Sequence, residues 1–177
     1  MFDEVQTGLA RTGAWFAHQH YGIEPDAISI AKALGNGMPI GAIWARKEVA
    51  AAFKPGDHAT TFGGQPMAAA AALATLEIMK SIDAPSLANT VGAAITDKLL
   101  ALDGVVSVRG KGMLIAAELD PAVLDGRSAG EVAKACLHAG LILNGVTPTA
   151  LRIAPPLTIT FAEIEQGIAV LDQVLNG

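Results

Sequence analysis

The sequence is poor in cysteine, in basic residues and in long apolar runs. Cys136 is its only cysteine, so no internal disulfide can form, which fits a reducing compartment and an expected cytoplasmic location. Lysine and arginine number 12 against 17 acidic residues, a formal charge of -5 with a pI of about 5.3. No basic stripe runs along the chain, so nucleic acid is not an expected partner. The apolar run MAAAAALATLEIM, Met67 to Met79, is too short and too alanine-rich to span a bilayer. The acidic opening MFDEVQTG does not read as a signal peptide, and no membrane partner is expected. There is no internal repeat, and no low-complexity segment beyond the alanines, which are ordinary helix formers. Nor is a metal site expected: His18 and His20 are two apart and would point in different directions on a helix, and His58 and His138 have no evident partners.

Apolar character is plentiful. Hydrophobic residues make up 51% of the 177 and the mean hydropathy is +0.42. Disorder is excluded, and part of the surface is expected to be a subunit interface. At roughly 150 residues per domain the length suggests one domain or two small ones. The opening FDEV looks like the end of a buried strand with no turn before it. A domain rarely begins inside its own core, so the chain is expected to be the back part of something longer.

Periodicity and punctuation outline the elements. Phe2 to Val5 reads as a strand end, and TGLARTG, Thr7 to Gly13, as a glycine-bounded loop. AWFAHQHYG reads as a short helix stopped at Gly22 by a left-handed cap. DAISIAK and PIGAIWAR read as strands, and KEVAAAF as a short helix ended by the turn KPGD. TTFGGQP leads into a helix from Met67 to Lys80, with Pro66 placed for its first turn. Beyond SIDAPS, the spacing of Leu87, Val91, Ile95, Leu99 and Leu102 predicts an amphipathic helix. GVVSVRGKGMLIAAEL reads as two strands around a glycine turn, and GLILN and ALRIAPPLTI as short strands. Ser128 with Glu131, and Thr160 with Glu163, stand at capping-box spacing ahead of two more helices. Strand, loop and helix alternate up to about residue 80, as in an α/β layer. From there helices and strand pairs follow one another as in a small α+β domain. The expected division is 1–80 and 81–177.

Few residues stand out for chemistry, and each has a plain reading beside a functional one. Asp3 is a solvated or turn-capping acid, or a carboxylate that pairs with a cation at a strand end, where α/β proteins place their ligands. Lys32, the one charged residue in IAKALGNGMPIGA, is a lysine whose stem packs while its head reaches water. Alternatively its amine is kept dry and neutral, the form that attacks carbonyls. The GNG after it permits tight turning or close approach of backbone to a ligand. TTFGGQP offers hydroxyls and N–H groups ahead of a helix, which suits a phosphate or a plain cap. Arg152 in ALRIAPPL reads as a buried arginine in need of an acceptor, either an internal carboxylate or one on a substrate. Cys136 reads as core, and VRGKG as a hairpin turn.

Taken together and in order, FDEVQTGLARTG, AKALGNGMPIGA, TTFGGQPMAAAAALA, VRGKGMLIAAEL and LRIAPPLTIT closely resemble the class III pyridoxal-phosphate aminotransferases over essentially the whole chain. The nearest look is to the branch acting on acetylornithine, with the ornithine and 4-aminobutyrate branches close by. The resemblance implies an α/β fold of the type I pyridoxal-phosphate transferases. Residues 1–80 would be the C-terminal part of a large cofactor-binding domain, and 81–177 a small α+β domain. It implies that Lys32 carries pyridoxal 5'-phosphate covalently and then moves the substrate proton. Asp3 would pair with the pyridine nitrogen and keep it protonated, so that the ring accepts electrons. Val5 would pack on one ring face and Gln6 lie near the ring hydroxyl. Thr61 would reach the cofactor phosphate of a neighbouring subunit, hence an expected homodimer, and Arg152 would hold a substrate α-carboxylate. The expected reaction is transfer of an amino group from acetylornithine or a similar ω-amine donor to 2-oxoglutarate, in arginine biosynthesis. Two alternatives stay open: another enzyme of the family, such as an ornithine or 4-aminobutyrate aminotransferase, an aminomutase or a decarboxylase; or a C-terminal fragment that folds or associates without activity. Two departures stand out. Gln65 occupies a place where relatives commonly have asparagine, and the front half of the family pattern, with its glycine phosphate turn and ring-stacking aromatic, has no counterpart here.

Overall fold

The computed structural model describes residues 1–177 and divides into two compact units, Met1–Ser86 and Leu87–Gly177. No helix is long and apolar enough to cross a membrane.

The first unit is built on a three-stranded sheet in the order β1 (Phe2–Asp3), β2 (Ala27–Ile30), β3 (Ala42–Ala45). β1 runs parallel to β2, with Phe2 opposite Ile28 and Asp3 opposite Ser29, and β3 is antiparallel to β2. A parallel neighbour needs a long connection, supplied by residues 4–26. Part of this connection is the expected helix of AWFAHQHYG. It forms only as a 3-10 turn, Ala17–Tyr21, stopped by Gly22 at φ 62. Eight residues between Gly13 and Gly22, rich in aromatic and histidine side chains, are too few to nucleate an α-helix. After β3 come the single turn α1 (Lys47–Ala50) and the long α2 (Pro66–Ser81), which begins on Pro66 as expected. α2 buries Ala68, Ala72 and Met79, a narrow stripe of mostly small side chains. Larger apolar residues of this unit, among them Ile43, Trp44, Phe62, Met67 and Leu73, are exposed.

The second unit has its own core. α3 (Ala84–Leu100) leads into it, followed by the hairpin β4 (Val105–Lys111) and β5 (Leu114–Leu119), the turn α4 (Pro121–Leu124), α5 (Ala129–His138), β6 (Asn144–Gly145), β7 (Ala150–Ile153) and α6 (Phe161–Asn176). The four-stranded sheet has the order β4-β5-β7-β6 and is antiparallel throughout. Alternation along β5 sends Ile115, Ala117 and Leu119 into the core. There they meet Val91, Ile95 and Leu99 of α3, Val132 and Cys136 of α5, and Ile164 and Leu171 of α6. Each large side chain buried in this way stabilises the unit by about 1.5–3 kcal/mol. α3 approaches the hairpin so closely that a Cβ on Gly92 would lie 2.0 Å from the carbonyl oxygen of Gly112. Both expected capping boxes form. Ser128 Oγ accepts from Glu131 N–H while Glu131 Oε2 accepts from Ser128 N–H, and Thr160 and Glu163 do the same.

The strand expected from GLILN is reduced to the pair Asn144–Gly145. Leu141 N–H donates instead to the carbonyl of Cys136 at 2.8 Å, and Gly140 takes φ 91. The segment is used up in ending α5 before a ladder can begin.

Candidate functional site

Because β1 and β2 are parallel neighbours, their carboxyl ends open on the same sheet edge, the usual ligand-binding edge of an α/β layer. Asp3 ends β1, and Lys32 follows β2 by two residues. The Asp3 carboxylate is exposed and is oriented through Oδ1, which accepts from Val5 N–H at 2.9 Å and from Ser29 Oγ at 3.4 Å. Val5 and Gln6 are half-buried in the turn that leaves the same edge.

Lys32 departs from the expectation of a dry amine. It is exposed, and the buried positions of its segment go to Leu34 and Gly35. The reason is where the strand stops. Lys32 lies past the ladder and opens a 3-10 turn, Lys32–Leu34. Its φ is +47, a conformation that costs a non-glycine residue of order 1–2 kcal/mol. The turn that enforces it is closed by Leu34 N–H to Ala31 O at 3.0 Å and Met38 N–H to Gly35 O at 3.0 Å. Gly35 is needed there, since a Cβ would sit 2.1 Å from the Met38 carbonyl oxygen. α2 packs beside this turn.

Beneath the edge is Glu4, which sequence reasoning missed. It is only 3% exposed. Its Oε2 accepts from Thr7 Oγ1 and from Ala17 N–H at 3.1 Å, and its Oε1 accepts from His18 N–H at 3.0 Å and faces His18 Nδ1 at 3.2 Å. Burial pushes its carboxyl up, but the hydrogen bonds from Thr7, His18 and Ala17 together outweigh that and hold it below the usual 4.5. The His18 ring is stacked against both Phe2 and Phe16. Strand alternation was the available signal: if Asp3 faces out, Glu4 faces in.

Two expected residues remain, Thr61 and Arg152. Thr61 is exposed in the turn before α2 and shares no hydrogen bond with Asp3 or Lys32. Arg152 belongs to the second unit and is half-buried rather than buried, because it stands on the sheet face opposite the one Leu151 turns to the core. Its acceptor is Asn144 Oδ1, at 3.1 Å from NH2.

An exposed carboxylate oriented through one oxygen, an exposed amine on a strained turn and half-buried apolar and amide side chains share one edge. The set suits a ligand that offers a cationic group to the acid and a carbonyl carbon to the amine. The family model described as "Aminotransferase class-III" matches residues 1–175. A similar curated relative is the acetylornithine aminotransferase of Methanothermobacter thermautotrophicus, 42% identical over 99% of this chain and 45% of that protein. Among solved structures, the acetylornithine aminotransferase from Elizabethkingia anophelis is similar, with a TM-score of 0.84 at 33% identity, covering 97% of this chain and 46% of that one. So is the ornithine aminotransferase from Toxoplasma gondii, with a TM-score of 0.86 at 32% identity, covering 98% and 42%. The chain thus spans a little under half the length of the relatives it matches.

Proposed function

The chain belongs to the class III aminotransferases, and on that premise we propose that it carries the lysine half of a pyridoxal 5'-phosphate site for transamination. The observation that carries this reading is the placement of Asp3 and Lys32 at the carboxyl ends of two adjacent parallel strands. Pyridoxal 5'-phosphate, when bound, supplies a ring that takes up the electron pair left on the substrate carbon as its proton departs.

The chain's own residues do the rest. Lys32 Nζ would hold the cofactor covalently and, once the substrate amine has displaced it and left it a free base, would take the proton from the substrate carbon and return it one position away. Asp3 accepts a hydrogen bond from the ring nitrogen and keeps its proton in place, a role helped by the fixing of Oδ1 by Val5 N–H and Ser29 Oγ. Val5 packs on one ring face, and Gln6 stands near the ring hydroxyl. Arg152 binds the substrate α-carboxylate. Thr61 serves the phosphate site of a second copy, which makes the working form a homodimer. The exposed Phe62 beside it, and Met67 and Leu73 on α2, are apolar surface of the kind an interface covers. The donor we propose is acetylornithine and the acceptor 2-oxoglutarate, in cytoplasmic arginine biosynthesis; ornithine is the second choice of donor. That Lys32 is exposed and the chain spans under half of its relatives' length favours one further reading. In it these 177 residues are inactive by themselves and transamination belongs to the complete polypeptide.

Borohydride reduction of the complete polypeptide after adding pyridoxal phosphate, followed by peptide mapping, tests the site. The reduced adduct is expected on the Lys32 peptide, and Lys32→Ala is expected to lose both the adduct and transamination. An adduct on a different lysine would overturn the assignment. Comparing kcat/KM for acetylornithine, ornithine and 4-aminobutyrate then decides the donor.

A further inference from the structure

The sequence holds three asparagine–glycine steps, Asn36–Gly37, Asn144–Gly145 and Asn176–Gly177. Such a step is chemically labile, because a glycine has no Cβ to keep its backbone nitrogen away from the preceding side-chain amide. Whether it reacts depends on how firmly the fold holds both groups. Two of the three are held. Asn144 Oδ1 accepts from Arg152 NH2 at 3.1 Å. Gly145 stands in the ladder opposite Leu151, where a Cβ would lie 2.5 Å from Gly130 N. Asn176 Nδ2 donates to Asp172 Oδ1 at 2.8 Å and to the Asp103 carbonyl at 3.3 Å, and Gly177 N–H donates to the Gln173 carbonyl at 2.9 Å.

Asn36–Gly37 is held at neither group. Both residues are exposed. The Asn36 side chain and the Gly37 N–H are bonded to no protein group and are left to water. Gly37 has φ +111 and open space around it, with no atom within 4 Å of where a Cβ would be. The bonds of the turn, Asn36 N–H to the Ala33 carbonyl at 3.3 Å and Met38 N–H to the Gly35 carbonyl at 3.0 Å, bracket the step without restraining either reacting group.

We propose that Asn36 is a site of spontaneous modification: its amide closes onto the backbone nitrogen of Gly37 and opens to isoaspartate or aspartate, remodelling the turn that presents Lys32. In the first step the Gly37 nitrogen bonds to Asn36 Cγ and the bond from Cγ to the amide nitrogen breaks. Ammonia leaves with the proton that the Gly37 nitrogen gave up. Water then opens the cyclic imide. Attack at Cγ gives aspartate. Attack at the main-chain carbonyl of Asn36 gives isoaspartate, whose backbone runs through the former side chain and is longer by one methylene. One water is consumed and one ammonia released, with no oxidation. The Met38-to-Gly35 bond spans Asn36, so the added methylene must lengthen or break it and loosen the turn. The effect on cofactor attachment rests on the reading of Lys32 given above.

The test is ageing of the complete polypeptide in warm, mildly alkaline heavy-oxygen water, followed by acidic digestion and peptide mapping by mass. Unaged protein digested in the same way gives the background. The Asn36 peptide should exchange its amide for a labelled carboxyl about ten-fold faster than the Asn144 or Asn176 peptides, with isoaspartate the larger product. Asn36→Gly, which suits φ +44, should remove that signal and leave the activity of fresh protein near wild type. Borohydride trapping of pyridoxal phosphate on Lys32 should fall by about the converted fraction in aged wild type and hold in aged Asn36→Gly. Conversion no faster than at Asn144 and Asn176 would overturn the proposal. Conversion with full trapping would overturn its effect on the turn. If fresh protein traps no cofactor on Lys32, the reading of Lys32 falls, and the modification is still decided by mass alone.

Discussion

Glutamine in place of Glu4 looks conservative, yet the geometry makes it costly. Each carboxylate oxygen takes one backbone N–H: Oε2 that of Ala17, Oε1 that of His18. Whichever way the amide of Glu4→Gln turns, its NH2 group confronts one of those donors, and a backbone N–H is left without an acceptor where the side chain is 3% exposed. A buried donor left unsatisfied costs about 1–3 kcal/mol, so Glu4→Gln should destabilise by about 2 kcal/mol and Glu4→Ala, which deprives both, by about 4 kcal/mol. For a chain of this length each kcal/mol lowers Tm by about 2–4 °C, so the glutamine variant should melt about 4–8 °C lower. The pH dependence has a definite sign. The folded carboxyl is held below its ordinary 4.5, so its contribution is present above about pH 4.5 and is lost as pH falls through the lower folded value. The gap between wild type and Glu4→Gln should therefore narrow in acid. Calorimetric melts of both proteins from pH 7.5 downward measure it. A glutamine variant within 1 °C of wild type at pH 7.5, or a gap that widens in acid, would refute the reasoning.

Two further substitutions probe backbone crowding. Gly92→Ala puts a methyl 2.0 Å from the Gly112 carbonyl oxygen, against backbone rather than a side chain that can swing away. It should destabilise by about 2–3 kcal/mol in urea denaturation, and a loss below about 0.5 kcal/mol would mean that the helix and hairpin separate easily. Lys32→Gly should do the reverse: it removes the amine proposed to attach the cofactor, but relieves the strain of φ +47 and should raise stability by about 0.5–1 kcal/mol. An unchanged or lower Tm would show that the turn holds no strain at that residue.

The second unit was the more legible from sequence because its signals agree. The spacing of Val91, Ile95 and Leu99 and the alternation of Ile115, Ala117 and Leu119 point to one core, where all six are found, and both capping boxes form at the starts of helices packed on it. The first unit was less legible because much of it is loop held by side-chain-to-backbone bonds, which leave no periodic trace. Glu4 is the clearest case: its partners lie 13 and 14 residues away along the chain. Lys32 was misjudged in its burial because neighbours in sequence are not neighbours in space. Ile30 and Leu34 flank it in the chain, but the change from strand to left-handed turn sends it outward. For Arg152 the need for an acceptor was readable, while the identity of that acceptor depended on where β6 begins.

Cys136 supplies a reporter that needs no engineering. It is the sole thiol of these 177 residues, fully buried in α5, and burial pushes its ionisation up, so the reactive thiolate is both scarce and out of reach. A maleimide or disulfide reagent can attach only when the second unit opens around α5. The labelling rate thus follows the frequency of that opening, one label marks each molecule that has opened, and mass spectrometry can count the opened fraction in a mixture without a dye, a tag or a mutation.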